Sequence, residues 1–203
     1  MRLFLVRHGA VIPAQKGKFY GGTEVPLSPK GENQAQAAGR WLAQFKVDAL
    51  YSSPLKRALF GARAVQAEAT AKDLTIRQLD SFREIDRGRW VGLRYDELES
   101  KFPQDMTNHL ADLENWNGHG GESLGQLRTR VLNARDSLRD SHQNQVVVVV
   151  SHLFPTVAIL ADAMGMPLSE YSELQIPTGS VTQIDYSSTG ASVRLVGHEP
   201  SSL

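Results

Sequence analysis

Arg2-Leu3-Phe4-Leu5-Val6 runs straight into Arg7-His8-Gly9, so a short apolar strand delivers an Arg-His-Gly turn. In open α/β sheets ligands bind beyond the carboxyl ends of the strands, which makes this turn a candidate site. Arginine is always charged and offers an anion a bidentate fork. The adjacent imidazole can act as nucleophile, base or anion ligand. Gly9 lets the backbone turn sharply and approach a ligand closely. Alone, the tripeptide also suits an ordinary strand end, so the other strand ends carry the argument.

Two further stretches repeat the pattern. Asp48-Ala49-Leu50-Tyr51-Ser52 predicts a second strand, and Pro54 can open a Leu55–Ala69 helix that carries Arg57. Val146–Val150 is five consecutive valines, the mark of a strand buried on both faces of a parallel sheet and the expected central strand. It ends in Ser151-His152-Leu153 and precedes an apolar helix expected over Val157–Met164. Three strand ends thus supply Arg7 with His8, Arg57, and His152. Parallel strands bring these ends to one edge of the sheet, where two guanidinium groups and two imidazoles would suit a phosphate dianion.

The remaining elements fit the same architecture. Ser28 and Pro29 are apt N-cap and first-turn residues for a helix expected over 28–45, with an apolar stripe at Ala35, Ala38, Leu42 and Phe45. Leu74–Leu79 alternates like a half-buried strand. It leads to Phe82–Gly92, where Glu84 is the expected carboxyl group to hold a proton over a leaving oxygen, with Asp86 as the alternative. Arg83, Arg87 and Arg89 read as surface partners for such loop carboxylates. Tyr95–Asn117 predicts short helices broken at Pro103, a cap over the site spanning roughly 93–120. His119, in the Gly-rich stretch Asn117–Gly121, either reaches the substrate or is an exposed loop residue. Trp90 and Trp116 read as packing residues. From Ser123 an amphipathic helix places Arg128, Arg130, Arg135 and Arg139 on faces expected to be solvated. Val181–Tyr186 and Ser192–Val196 predict a terminal hairpin. The fold class expected is α/β: a single domain over 1–203 with a mostly parallel central sheet flanked by helices and a small helical cap.

Composition narrows the chemistry. The 203 residues, 41% of them hydrophobic, suffice for one sizeable core. Lys and Arg total 22 against 22 Asp and Glu, so no global field draws the chain to nucleic acid or an anionic membrane. With no cysteine, disulfides, thiol catalysis and Cys-ligated metals are excluded, and the six histidines show no metal-ligand spacing. The apolar run after Met1 is too short for a signal peptide, and no stretch approaches a membrane span. A cytoplasmic protein without cofactor, metal, nucleic-acid or membrane partner is the expectation.

The ordered motifs Leu5-Val6-Arg7-His8-Gly9, Ser52-Ser53-Pro54-Leu55-Lys56-Arg57-Ala58, Glu84 within Glu-x-x-x-Gly-x-Trp-x-Gly, Gly121-Glu122-Ser123 and Val150-Ser151-His152 resemble the histidine phosphatases of the phosphoglycerate mutase-like superfamily. The resemblance spans essentially the whole chain. It implies that His8 is the phosphorylated nucleophile, that Arg7, Arg57 and His152 bind the phosphoryl oxygens, and that Glu84 is the acid/base. Tyr20 and Gly21 would line the substrate mouth, and Leu153, where the family usually has Gly, would still offer a backbone N–H. Ala10 stands where many members carry Thr, Ser or Glu, and Ala14 near the position of an Asn that touches the phosphate, so one phosphate contact is expected to be missing. Tyr20-Gly21-Gly22-Thr23-Glu24-Val25-Pro26-Leu27 resembles a branch of α-ribazole phosphatases.

The expected function is metal-independent hydrolysis of a small-molecule phosphate monoester through a phosphohistidine, with α-ribazole 5'-phosphate as a substrate hint. A phosphoglycerate mutase is the alternative, but it needs extra cations for a second phosphate, and Leu93–Pro103 offers only Arg94 and Lys101. A non-catalytic phosphate-binding module is a third reading, disfavoured by His8 and Glu84 occurring together.

Overall fold

The computed structural model describes residues 1–15, 17–71 and 73–201. Six strands form one sheet: β1 (Arg2–Arg7), β2 (Ala49–Ser52), β3 (Ile76–Gln78), β4 (Val146–Ser151), β5 (Val181–Ser187) and β6 (Gly190–His198). Their spatial order is β3-β2-β4-β1-β5-β6. β3, β2, β4 and β1 run parallel, and the β5–β6 hairpin adds antiparallel strands beyond β1. The valine strand is interior to the parallel part. Its register sets Arg7 opposite Ser151 and Ser52 opposite Val150, so the carboxyl ends of β1, β2 and β4 finish at one level.

Strand alternation explains the two cores. Leu3, Leu5, Val147 and Val149 point to one face, where Leu127, Val131 and Leu138 of α5 (Leu124–Ser141) and Val157 and Leu160 of α6 (Leu153–Met164) cover them. Phe4, Val6, Val148 and Val150 point to the other, against α1 (Pro29–Leu42) and α2 (Lys56–Glu68). Each fully buried aliphatic side chain contributes roughly 1.5–3 kcal/mol of transfer free energy. The cap is α3 (Tyr95–Lys101) and α4 (Pro103–Ala111), divided at Pro103. Among the described residues no helix is long and apolar enough to cross a membrane.

Some elements depart from expectation. The first helix ends at Leu42, not 45. Helix α6 starts at Leu153, four residues before the expected Val157. Pro155 does not delay it, because first-turn N–H groups have no intrahelical acceptor to lose. The α5 arginines are not a uniformly solvated face. Arg135 is buried and bonds Asp136, Asp162 and the Tyr186 hydroxyl. Arg130 clasps Glu122 with two bonds and donates to the Ser81 and Arg83 carbonyls. Periodicity reports which positions are apolar and cannot report a carboxylate that arrives from another element.

The turn after β1 is fixed by backbone contact with α1. A Cβ built on Gly31 would lie 2.0 Å from the Ala10 carbonyl oxygen, and one on Gly9 would lie 1.9 Å from that of Gly31. No side chain fits between them. Gly31→Ala is therefore expected to cost ~1–3 kcal/mol through overpacking and to lower activity by moving His8, as measured by urea denaturation and turnover. Unchanged stability and turnover would contradict this account of the turn.

Candidate active site

The cluster assembles where the strands end. The His8 amide donates to the Ser151 carbonyl at 2.9 Å, continuing the β1–β4 ladder one residue past β1. The His8 ring is 2% exposed, and its Nδ1 donates to the Gly9 carbonyl at 2.7 Å. Because a carbonyl can only accept, the proton of the neutral ring is on Nδ1, and Nε2 carries the lone pair. Burial, followed by the nearby Arg57 charge, pushes the His8 pKa down to about 3. The ring is neutral at physiological pH.

His152 is fully buried, and its ring centroid lies 5.1 Å from that of His8. Its Nε2 shares a 2.7 Å hydrogen bond with Ser53 Oγ, while Nδ1 has no partner among the described residues. Burial and the His8, Arg57 and Arg7 groups hold its pKa well below the usual histidine value.

The guanidinium groups are held by loop carbonyls. Arg57 donates from Nη1 to Thr23 at 2.6 Å and from Nη2 to Gly21 at 2.8 Å. Arg7 donates from Nη1 to the Ile176 carbonyl. Five N–H donors per arginine leave several unspent on each. Burial lowers the pKa of both, against the opposing charge of Glu84. The Tyr20 ring lies 5.3 Å from the Arg57 guanidinium carbon, with its phenol close to Arg7. Gly21 is in the left-handed region, φ 43°, where its carbonyl meets Arg57.

Glu84 sits over the start of α6. Its Oε1 accepts from the amides of Ile85 at 3.0 Å and Phe154 at 3.3 Å, and its Oε2 from that of Leu153 at 3.1 Å. The Leu153 amide, expected to serve a phosphate, is thus engaged by the carboxylate. Asp86, the alternative acid/base, instead accepts from the Gly88 amide at 2.9 Å and caps a turn. Ala10 bonds Gln34 through its backbone, and Ala14 lies exposed, so neither replaces the missing polar contact.

Two cavities adjoin the cluster. One of about 430 Å³ is walled by Arg7, Leu110, Leu153, Phe154, Leu174 and Ile176. The other, about 730 Å³, is polar and open, and includes Gly22, Thr23, Glu84, Glu122 and Arg130. Among the described residues no group of three His, Asp or Glu side chains is placed to hold a metal ion.

The Histidine phosphatase superfamily (branch 1) family model matches residues 3–199. The chain belongs to this superfamily. It is 34% identical to Phosphoserine phosphatase 1 of Hydrogenobacter thermophilus over 84% of this chain and 80% of that protein. The Adenosylcobalamin/alpha-ribazole phosphatase of Escherichia coli is 28% identical over 97% of this chain and 95% of the relative. Some mycobacterial relatives, 31% identical, are longer, and the chain spans 53% of their length. Bacillus stearothermophilus YhfR superposes with a TM-score of 0.85 at 26% identity, covering 97% of this chain and 96% of that one. The enzyme class is phosphoric monoester hydrolase.

Within this histidine phosphatase, two sequence expectations are corrected. His119 neither reaches the cluster nor lies exposed. It is 2% exposed, packed 4.6 Å from the Trp90 ring and 5.0 Å from that of Trp116. Arg87, read as a surface residue with Arg83 and Arg89, is 6% exposed and stacks on Phe154. Arg83 and Arg89 do pair with Asp80 and Asp105. Three arginines within seven residues look alike in one sequence, and only packing from Phe19 and Phe154 sets Arg87 apart.

The depressed His8 pKa is also a statement about stability. Unfolded, the ring takes a proton below pH 6.5, but folded it takes one only near 3, so acid favours unfolding across that window. Stability should fall as pH drops from 6.5 toward 3, and His8→Gln should lessen the slope in urea midpoints. An identical slope in the variant would contradict a neutral, buried His8.

Proposed function

We propose that this chain hydrolyses small-molecule phosphate monoesters without a metal, through a phosphohistidine formed on His8. The observation that supports this most directly is the Nδ1–H bond from His8 to Gly9 in a pocket shared with Arg57 and His152. It presents a neutral nucleophile, lone pair on Nε2, beside fixed positive charge.

The residues divide the reaction as follows. The phosphate enters between Arg7 and Arg57, whose unspent N–H donors and the unpartnered His152 Nδ1 meet its oxygens. His152 serves this role with its proton on Nδ1 and Nε2 accepting from Ser53. His8 Nε2 attacks phosphorus in line, the ester P–O bond breaks, and Glu84 gives a proton to the departing oxygen. Water then loses a proton to Glu84 and attacks the phosphohistidine, releasing phosphate and restoring His8. Charge spreads over the equatorial oxygens throughout, so preplaced donors supply the stabilisation a metal would otherwise give.

The mutase reading is less well supported. Arg94 and Lys101 both lie exposed, Arg94 3.7 Å from Asp96, and form no second cationic pocket. One observation favours α-ribazole 5'-phosphate as a substrate: the apolar cavity that reaches Arg7 could receive an aromatic base. The name of the Escherichia coli relative agrees with that reading.

His8→Ala is expected to abolish turnover, and the wild type should yield an acid-labile, base-stable phosphorylated residue on rapid quench. Acid-stable phosphoserine, or near-normal turnover in the variant, would reject the assignment. Arg57→Ala should slow the reaction 10²–10³-fold, the loss of ~2.7–4 kcal/mol typical of one oxyanion donor. Chelator should leave the rate unchanged; loss of activity restored by added metal would overturn metal independence. Glu84→Gln should impair an alkyl phosphate more than a nitrophenyl phosphate, whose leaving group needs little protonation. Equal losses on both esters would remove Glu84 as the leaving-group acid.

A further inference from the structure

The segment that delivers Glu84 is irregular between the short turns Asp80–Phe82 and Gly88–Trp90, so bonds from other elements decide where its backbone lies. Those bonds come from two neighbours. Arg130 of α5 donates from Nη1 to the Ser81 carbonyl at 2.8 Å and to the Arg83 carbonyl at 3.0 Å. Ser151, at the end of β4 beside His152, donates from Oγ to the intervening Phe82 carbonyl at 2.7 Å. Beyond Glu84, the Glu122 amide donates to the Asp86 carbonyl at 2.9 Å.

Arg130 and Glu122 act as one unit. Arg130 Nε and Nη2 grip the two Glu122 carboxylate oxygens at 2.6 and 2.8 Å, a bidentate arrangement that fixes direction as well as distance. The contacts close a ring that runs from Arg130 to Arg83, along the chain through Glu84 to Asp86, across to Glu122 and back. Glu84 is enclosed by it, and all three side chains line the polar cavity of about 730 Å³. The same ring accounts for the Gly121-Glu122-Ser123 motif. A Cβ on Gly121 would lie 2.4 Å from the Asp86 carbonyl oxygen, and Ser123 Oγ accepts from the Gln126 amide at 3.1 Å, capping the helix that carries Arg130.

We propose that the Arg130–Glu122 pair is the positioning device of the acid/base, holding the backbone on both sides of Glu84 so that its carboxyl group meets the leaving oxygen. The inference rests on the phosphatase reading above and adds a residue pair to it. The phosphate-binding cations have separate supports: Arg57 bonds the Gly21 and Thr23 carbonyls, and Arg7 that of Ile176. Loosening the clamp therefore disturbs proton transfer and leaves phosphoryl binding in place.

The test measures kcat/KM, which reports the steps up to release of the alcohol, on an alkyl phosphate and on nitrophenyl phosphate. In Arg130→Met the alkyl ester should lose ~10–10²-fold, the scale of a displaced catalytic group, while nitrophenyl phosphate, whose leaving group needs little protonation, should hold near the wild-type value. Its kcat should still fall, because water attack on the phosphohistidine needs Glu84 as base. Adding Arg130→Met to Glu84→Gln should cost the alkyl ester nothing further, since the placement of an absent acid no longer matters. Glu122→Gln, which keeps one acceptor for the guanidinium, should show the same selectivity with a smaller loss, and it carries the comparison if Arg130→Met does not fold. Equal losses on both esters in these variants, or an Arg130→Met loss that adds in full to that of Glu84→Gln, would overturn the proposal and leave the pair a general staple of the fold. If Glu84→Gln itself showed no selectivity between the esters, or if the wild type hydrolysed neither, the acid/base or the phosphatase reading would fail first and take this inference with it.

Discussion

The bond from His8 Nδ1 to the carbonyl of the next residue is short, local and almost fully removed from water. It fixes which nitrogen keeps a lone pair, and burial among arginines keeps that lone pair free of a proton. The rest of the structure serves to hold this ring in place. The β1–β4 register supplies the Ser151 carbonyl for the His8 amide, and the Gly9–Gly31 contact leaves the following turn no room to shift. A sheet buried on both faces provides the rigidity that a loop alone could not.

Holding two guanidinium ions beside that ring, Arg57 buried and Arg7 partly so, has a structural counterpart. Arg57 holds the carbonyls of Gly21 and Thr23, and Arg7 holds that of Ile176, so the charges that face the substrate also fasten the rim around it. The positive end of α6 is used for Glu84, not left open for an anion. That choice places the proton carrier and the cations on different supports, the helix start and the loop carbonyls. The acid/base and the anion-binding groups can then be set independently.

Much of this was legible in the sequence because it is local or periodic. Five valines announce a strand interior to a parallel sheet, and Arg7, His8 and His152 need only strand-end placement to converge. Arg57 needs only a proline-opened helix after the second strand. What was not legible depends on residues far apart in the chain. Asp162 and Tyr186 reach Arg135 from α6 and β5. Phe154 reaches Arg87 across 67 positions of sequence. Trp90 and Trp116 enclose His119, which a glycine-rich neighbourhood made look exposed. In each case the sequence named the charged or polar residue, and packing from a distant element decided its environment.

The account turns on the protonation state of one imidazole, and nitrogen-15 NMR of histidine-labelled protein reads it directly. Between pH 5 and 7.5 the His8 ring is expected to remain neutral, with the proton on Nδ1 and an unprotonated Nε2 throughout. A His8 resonance that titrates near the usual histidine value, or that shows the proton on Nε2, would contradict it.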